Sequence, residues 1–382
     1  MGELDLGFVR DLYCDRGGVG YPPEILLPVI LFGRSQGVFG SAELQEACRY
    51  DERYKFLARG HRPDDRTFDR FLVRIAPVMD ELFKRVVRKS KGSERATASE
   101  VSLDGCRVSG SCSFWSIRSG EPSDPDARLQ NSHGRKMVGY NLQAAIDPKD
   151  DVIVSATVIS EPLDCNAMPE VLSAMRSQMD VLPAAVVADA GFETHESIEL
   201  LERAGLDTCF AYKEALTQFV REDADGKLVC PAGRELTARF TNDKGNGDYV
   251  AYGPSCKGCA LKAQCGFYKK RIYVPKGVDP GARFRNRDRP HSAQYHGALK
   301  RRRKVEKVFG QLKRNDGFGG FLRRGLAKVR VDFLIWYCSY NLRKAAGKLL
   351  SLILGLMPLS PPLFYTRTTR TRSQVGPGAL AA

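Results

Sequence analysis

Residues 184–212, "AAVVADAGFETHESIELLERAGLDTCFAY", carry two different periods in one line. The apolar run up to Ala188 reads as a buried strand with Asp189 at its carboxyl end. "THESIELLERAG" places its apolar residues at helical spacing, and "DTCFAY" reads as a strand again. Upstream, "VSLDGCRVSG" (101–110) reads as a short strand and turn. "GYNLQAAID" (139–147) alternates, with Tyr140, Leu142, Ala144 and Ile146 on one face, and "DVIVSATVIS" (151–160) is a third strand. "EPLDCNAMPEVLSAMRSQM" (161–179) reads as a turn leading into a helix. The order is three strands, helix, strand, helix, strand. It predicts a meander followed by alternation, hence a mixed five-stranded α/β sheet with helices.

Around this unit the chain divides into segments. Residues 1–90 read as an all-α N-terminal domain, suited to DNA-end binding or dimerisation. Phe68, Phe71, Leu72 and Ile75 form one helical stripe, with Asp65 as the expected N-cap; Pro77 interrupts it, and Met79, Leu82, Phe83 and Val86 resume it. Residues 91–100 are polar and read as a linker, and 101–213 as the first part of the sheet domain. Residues 214–285 are a glycine-rich, cysteine-bearing insertion. Helices return over 286–350, and 351–382 form a polar, basic tail expected to be disordered.

The 382 residues carry a formal net charge of +14, with a pI near 9.3, which points to a polyanionic partner, nucleic acid first. Met1 is followed by "GELDLGF", not by the basic and then apolar run of a signal peptide. The longest apolar stretches, 25–32 and 349–359, are too short to span a bilayer. A cytoplasmic, nucleoid-associated protein with no membrane partner is expected, its 11 cysteines serving as thiols or metal ligands and not as disulfides.

Three carboxylates are the candidates for chemistry. Asp104 in "VSLDG" and Asp189 in "VVADAG" each close an apolar strand, and Glu306 sits alone in "KRRRKVEKVFGQLKRN" (300–315). Such a trio can hold Mg²⁺ or Mn²⁺ through hard oxygen ligands and so act on a phosphodiester. Taken singly, an Asp-Gly pair is most often a turn, and Glu306 could simply relieve repulsion from Arg302. The basic surroundings favour the phosphate reading. Residues 283–348 hold nineteen lysines and arginines against four acids, and Arg302, Glu306 and Lys313 are spaced to share one helix face.

These motifs, with "YPPEILLPVILFG", "SAELQEACRYDERYKFLARG" and "PDDRTFDRF" before them, resemble the DDE transposases of bacterial insertion sequences, those with an InsH-like N-terminal helical domain. The resemblance covers about residues 5–347. It implies an RNase H-like catalytic core and Mg²⁺-dependent cleavage and strand transfer at the element's ends, with Asp104, Asp189 and Glu306 as the metal-binding triad. It also implies DNA contacts from Arg302 and Lys313, with Arg301, Arg303, Lys304 and Arg314 beside them. Double-stranded DNA (terminal inverted repeats and target) would be the partner, bound by a homodimer. The chain departs from the family pattern at Leu299, where a tyrosine is usual (Tyr295 lies one turn earlier), and at Cys106, where threonine often follows Gly105.

Cys230, Cys256, Cys259 and Cys265 (C-x25-C-x2-C-x5-C) suit a structural Zn²⁺ site, or else a set of reduced thiols in an irregular loop. His133 is an exposed loop residue or a DNA contact, and Trp336 and Tyr337 read as core. Two rival functions remain: a catalytically inactive or truncated derivative that only binds DNA, and a metal-dependent nuclease that cuts without joining.

Overall fold

The computed structural model describes residues 4–13, 20–113, 123–132, 134–210, 220–241, 249–288, 293–315 and 318–354. His133, Cys14, the tail beyond 354 and the side chains of Tyr295 and Arg314 lie outside the described residues.

The first ninety residues fold into helices α1 (Gly7–Arg10), α2 (Pro23–Ser35), α3 (Ser41–Tyr50), α4 (Glu52–Leu57), α5 (Asp65–Arg74) and α6 (Met79–Lys91). The cap of α5 is Asp64, one residue before the expected Asp65; its carboxylate accepts the Thr67 N–H at 2.7 Å. Pro77 lies in a 3₁₀ turn, Ala76–Val78, that joins the two stripes, and both stripes are buried. Gly92 ends α6 at φ 60°, a left-handed cap that a side chain would strain.

The central sheet comprises β1 (Glu100–Ser109), β2 (Arg128–Ser132), β3 (Arg135–Asp147), β4 (Val152–Ile159), β5 (Ala185–Ala188) and β6 (Asp207–Phe210). β3 pairs antiparallel with β1 and β4, β5 runs parallel to β1, and β6 runs parallel to β5. The order β4–β3–β1–β5–β6, an antiparallel meander extended by two parallel strands, is that of an RNase H-like core. Two details differ from expectation. β1 does not turn at Asp104 but continues through Gly105 to Ser109, paired residue by residue with β3. β2, whose sequence "RLQNS" has no apolar alternation, adds a strand along the first half of β3.

Helix α7 (Met168–Gln178) packs on β4, α8 (His195–Arg203) on β6, and α10 (Ala293–Gly310) on β1 and β5; α11 (Leu326–Leu354) lies against α2, α6 and β4. α11 buries Val329, Phe333, Leu334, Trp336, Tyr337, Cys338 and Tyr340, so its middle turns are enclosed by the core. One hydrophobic core runs from α2 through α11 to the sheet. The outer edge of β4 is closed by side-chain amides. Asn341 accepts the Ile153 N–H at 2.9 Å and donates to its carbonyl at 2.8 Å, and Gln178 does the same to Ala156 at 2.7 and 2.9 Å. Two amides thus occupy backbone groups that would otherwise invite another strand.

The cysteine-bearing insertion has more order than its sequence announces. It holds a hairpin of β7 (Arg221–Glu222) and β8 (Leu228–Val229), an antiparallel sheet of β9 (Leu236–Thr241), β10 (Tyr249–Pro254) and β11 (Ile272–Pro275), and helix α9 (Ala282–Asp288). Phe267, Ile272, Val274 and Phe284 centre a small core of its own. Ion pairs tie it to the main fold: Arg283 to Glu193 at 2.6 Å, and Arg285 to Glu202 at 3.1 Å.

Candidate active site

Asp104 lies midway along β1 and accepts the Gly105 N–H at 2.9 Å. Burial pushes its carboxyl up to about 6, helped by the nearby charges of Glu306 and Asp164 and opposed by the Gly105 N–H and Arg302. Asp189 directly follows β5, as its sequence implied. It is exposed and caps the 3₁₀ turn Ala190–Phe192 by accepting the Ala190 N–H at 2.8 Å. The parallel register sets Ser102 opposite Val187. The paired register ends there; Asp104 lies two residues further along β1, and Asp189 lies just past the end of β5, which stops at Ala188.

Glu306 arrives from α10. Val305, Val308 and Phe309 are buried and fix that helix's rotation over the sheet. The Arg302 guanidinium reaches both carboxylates, 3.1 Å to Glu306 Oε1 and 4.0 Å to Asp104 Oδ2. The pair Arg302–Glu306 that would relieve repulsion therefore exists, but the same cation also joins Glu306 to the strand carboxylate. Among the described residues no three histidine, cysteine or acidic side chains stand close enough to hold a metal ion. The donor chemistry of the trio, carboxylate oxygens only, fits a hard divalent cation, and one cationic group already serves two of its members.

The neighbouring cations divide by what they touch. Arg301 donates to Glu100 at 2.9 and 2.6 Å, and Lys304 pairs with Asp151 at 3.1 Å and bonds the Pro148 carbonyl. Lys313 lies beyond α10 in a π-helical turn, Gln311–Asn315, so the expected spacing of seven on one helix face does not hold; its amino group donates to the Arg107 carbonyl at 2.9 Å. Arg303 is exposed.

Sequence reasoning missed Asp164, in the turn between β4 and α7. It accepts from Asn141 at 2.8 Å, Gln143 at 3.0 Å and Arg107 at 2.8 Å. Successive strand residues face opposite sides, so this cluster sits behind Asp104, on the Gly105 side of the sheet. A Cβ on Gly105 would come within 2.4 Å of Asp164 Oδ1. That close approach explains the glycine after Asp104. An aspartate in "EPLDCN" carries no periodic signal that could have flagged it.

Among the described residues no three metal-ligating side chains stand together around the four insertion cysteines. Cys230 is buried in the insertion's small core, while Cys256 accepts the Lys269 N–H at 3.5 Å. Arg234 ties this region together, donating to the carbonyls of Ser255, Lys257 and Gly258 at 2.8, 2.7 and 3.1 Å.

The family described as "Transposase DDE domain" matches residues 229–346, a span that includes Glu306, and "Transposase domain (DUF772)" matches residues 3–74. No curated protein matches the chain. Among solved structures, the piggyBac transposase synaptic complex with hairpin DNA is similar at 11% identity and a TM-score of 0.38, over 92% of this chain and 72% of that one. Two transposase family models, matched at separate parts of the sequence, support a DDE transposase of an insertion-sequence type.

Proposed function

We propose that the chain cleaves DNA at the ends of an insertion sequence and joins the freed ends to target DNA. Asp104, Asp189 and Glu306 act as the ligands of Mg²⁺ or Mn²⁺. The observation that carries this reading is the meeting of Asp104 and Glu306, 202 positions apart in the sequence, on one guanidinium beside the strand end that bears Asp189.

When bound, a divalent cation polarises a phosphodiester oxygen and lowers the pKa of an attacking water or 3′-hydroxyl. The protein's own groups supply the rest. β1 carries Asp104, the turn that follows the neighbouring β5 carries Asp189, and α10 brings Glu306. Arg302 moves from the carboxylates to a phosphate oxygen as substrate enters, which leaves the acids free to ligate. The surrounding positive charge draws in the DNA backbone without reading its sequence. Recognition of the terminal repeats falls to the N-terminal helices, and two copies pair the two ends.

Incubating the protein and Mg²⁺ with DNA that carries the gene's flanking sequences, plus a supercoiled target plasmid, tests this directly. Products in which a flanking 3′ end is covalently joined to target DNA are expected. Cut ends that never join would reduce the activity to a nuclease, and tight binding with no cutting would leave only a DNA-binding derivative.

A further inference from the structure

The basic helix α10 sorts its charges by direction. At about 100° per residue, Ala298, Val305, Phe309 and Val308 fall within one arc, and all four are buried. Arg301 falls within that arc and Lys304 flanks it on one side, and they are tied to Glu100 and Asp151. Arg302 flanks it on the other and serves Asp104 and Glu306. Lys300, Arg303 and Lys307 lie opposite the buried arc, are exposed, and have no carboxylate or carbonyl partner among the described residues. The helix thus spends three cations within the fold and leaves three in a row outside it.

Resting on the DNA-processing reading above, we infer that Lys300, Arg303 and Lys307 form the grip on the DNA phosphate backbone next to the catalytic carboxylates, while Arg301 and Lys304 fasten α10 to the sheet. The row advances by three and then four residues, about 10.5 Å along the helix axis, close to the axial rise of three nucleotides on one DNA strand. Its charges need no rearrangement of the fold to meet phosphates, whereas Arg301 and Lys304 would each have to abandon an acid. Glu306 stands three residues from Arg303, a neighbouring position on the helix surface, so a strand held by the row passes beside this proposed metal ligand. The contact is sequence-independent, since it is made to phosphate and not to base edges.

The test is the salt dependence of duplex affinity, measured with a mixed-sequence 40-base-pair DNA and the full chain. Each lysine or arginine that neutralises a phosphate contributes about −0.9 to the slope of log K against log salt. The triple variant Lys300→Gln, Arg303→Gln, Lys307→Gln is expected to flatten the slope by about 2 to 3, with its melting temperature within a degree or so of wild type because all three side chains are exposed. Arg301→Gln is expected to keep the slope and to lower the melting temperature, since Glu100 loses its partner. An unchanged slope in the triple variant, with wild-type binding intact, would overturn the inference and leave the transposase reading standing. So would a slope loss in Arg301→Gln equal to one phosphate. A wild-type protein that fails to bind duplex DNA at low salt would overturn both.

Discussion

Arg302 stands one helical turn from Glu306, 3.1 Å from its carboxylate, and reaches across to Asp104 at 4.0 Å. A guanidinium so placed neutralises the two acids without a metal and competes for the position a divalent ion would take. Replacing it with leucine should therefore make the protein more dependent on the ion. Arg302→Leu is expected to melt lower than wild type in EDTA and to gain several degrees more from 10 mM MgCl₂ than wild type does, in thermal melts at pH 8. An equal Mg²⁺ response in both proteins would mean that the two carboxylates do not share the ion.

Asp104 carries a stability cost of its own. Its carboxyl is pushed up to about 6 from an ordinary 3.8, chiefly by burial, so the folded state holds this proton more tightly than the unfolded state. Stability must then fall as pH rises from about 4 through 6, by about 3 kcal/mol for a shift of this size. Asp104→Asn, which mimics the protonated group, should be more stable than wild type at pH 8 without divalent ions. That advantage should shrink below pH 6 and vanish near pH 4. Urea melts across that range measure it, and a pH-independent difference would contradict the burial argument.

Gly105 has no room for a side chain, with Asp164 Oδ1 2.4 Å and Gln143 Nε2 2.7 Å from where a Cβ would sit. Gly105→Ala should destabilise the fold by about 1–3 kcal/mol through overpacking. Combining it with Asp164→Ala should cost less than the sum of the two single changes, because the clash has lost one partner. A strictly additive double variant would show that the two residues do not meet.

The closure of the β4 edge makes a separate prediction. Asn341→Leu would leave the buried Ile153 N–H and carbonyl unpaired, at about 1–3 kcal/mol for each group. A loss of about 2–5 kcal/mol in urea unfolding is expected. A loss near zero would mean that water replaces the amide there.

Local pattern made some of this visible in the sequence. Asp189 follows an apolar strand run, and the Phe68–Val86 stripe announces two helices whose apolar faces are indeed buried. Other features depend on contacts between distant residues and leave no local trace. The Asp104–Gly105 pair looks like a turn, yet the strand runs on because the glycine answers to Asp164, 59 positions away, and not to backbone curvature. Asn341 and Gln178 are polar residues in helical runs, and nothing in their neighbours reveals that both serve one strand edge. In "KRRRK" the charge count gives the sign of the helix but not the division of labour. Arg301 and Lys304 face acids brought by β1 and the β3–β4 turn, while Lys300 and Arg303 face outward.

The central claim is that Glu306 joins Asp104 and Asp189 in holding the catalytic ion. Its most direct test compares wild type with Glu306→Gln for Mg²⁺-dependent cleavage of DNA bearing the gene's flanking ends, with duplex binding measured in parallel. The account predicts cleavage by wild type only, with binding retained in both. Equal cleavage by the two proteins would contradict it and assign the third carboxylate elsewhere.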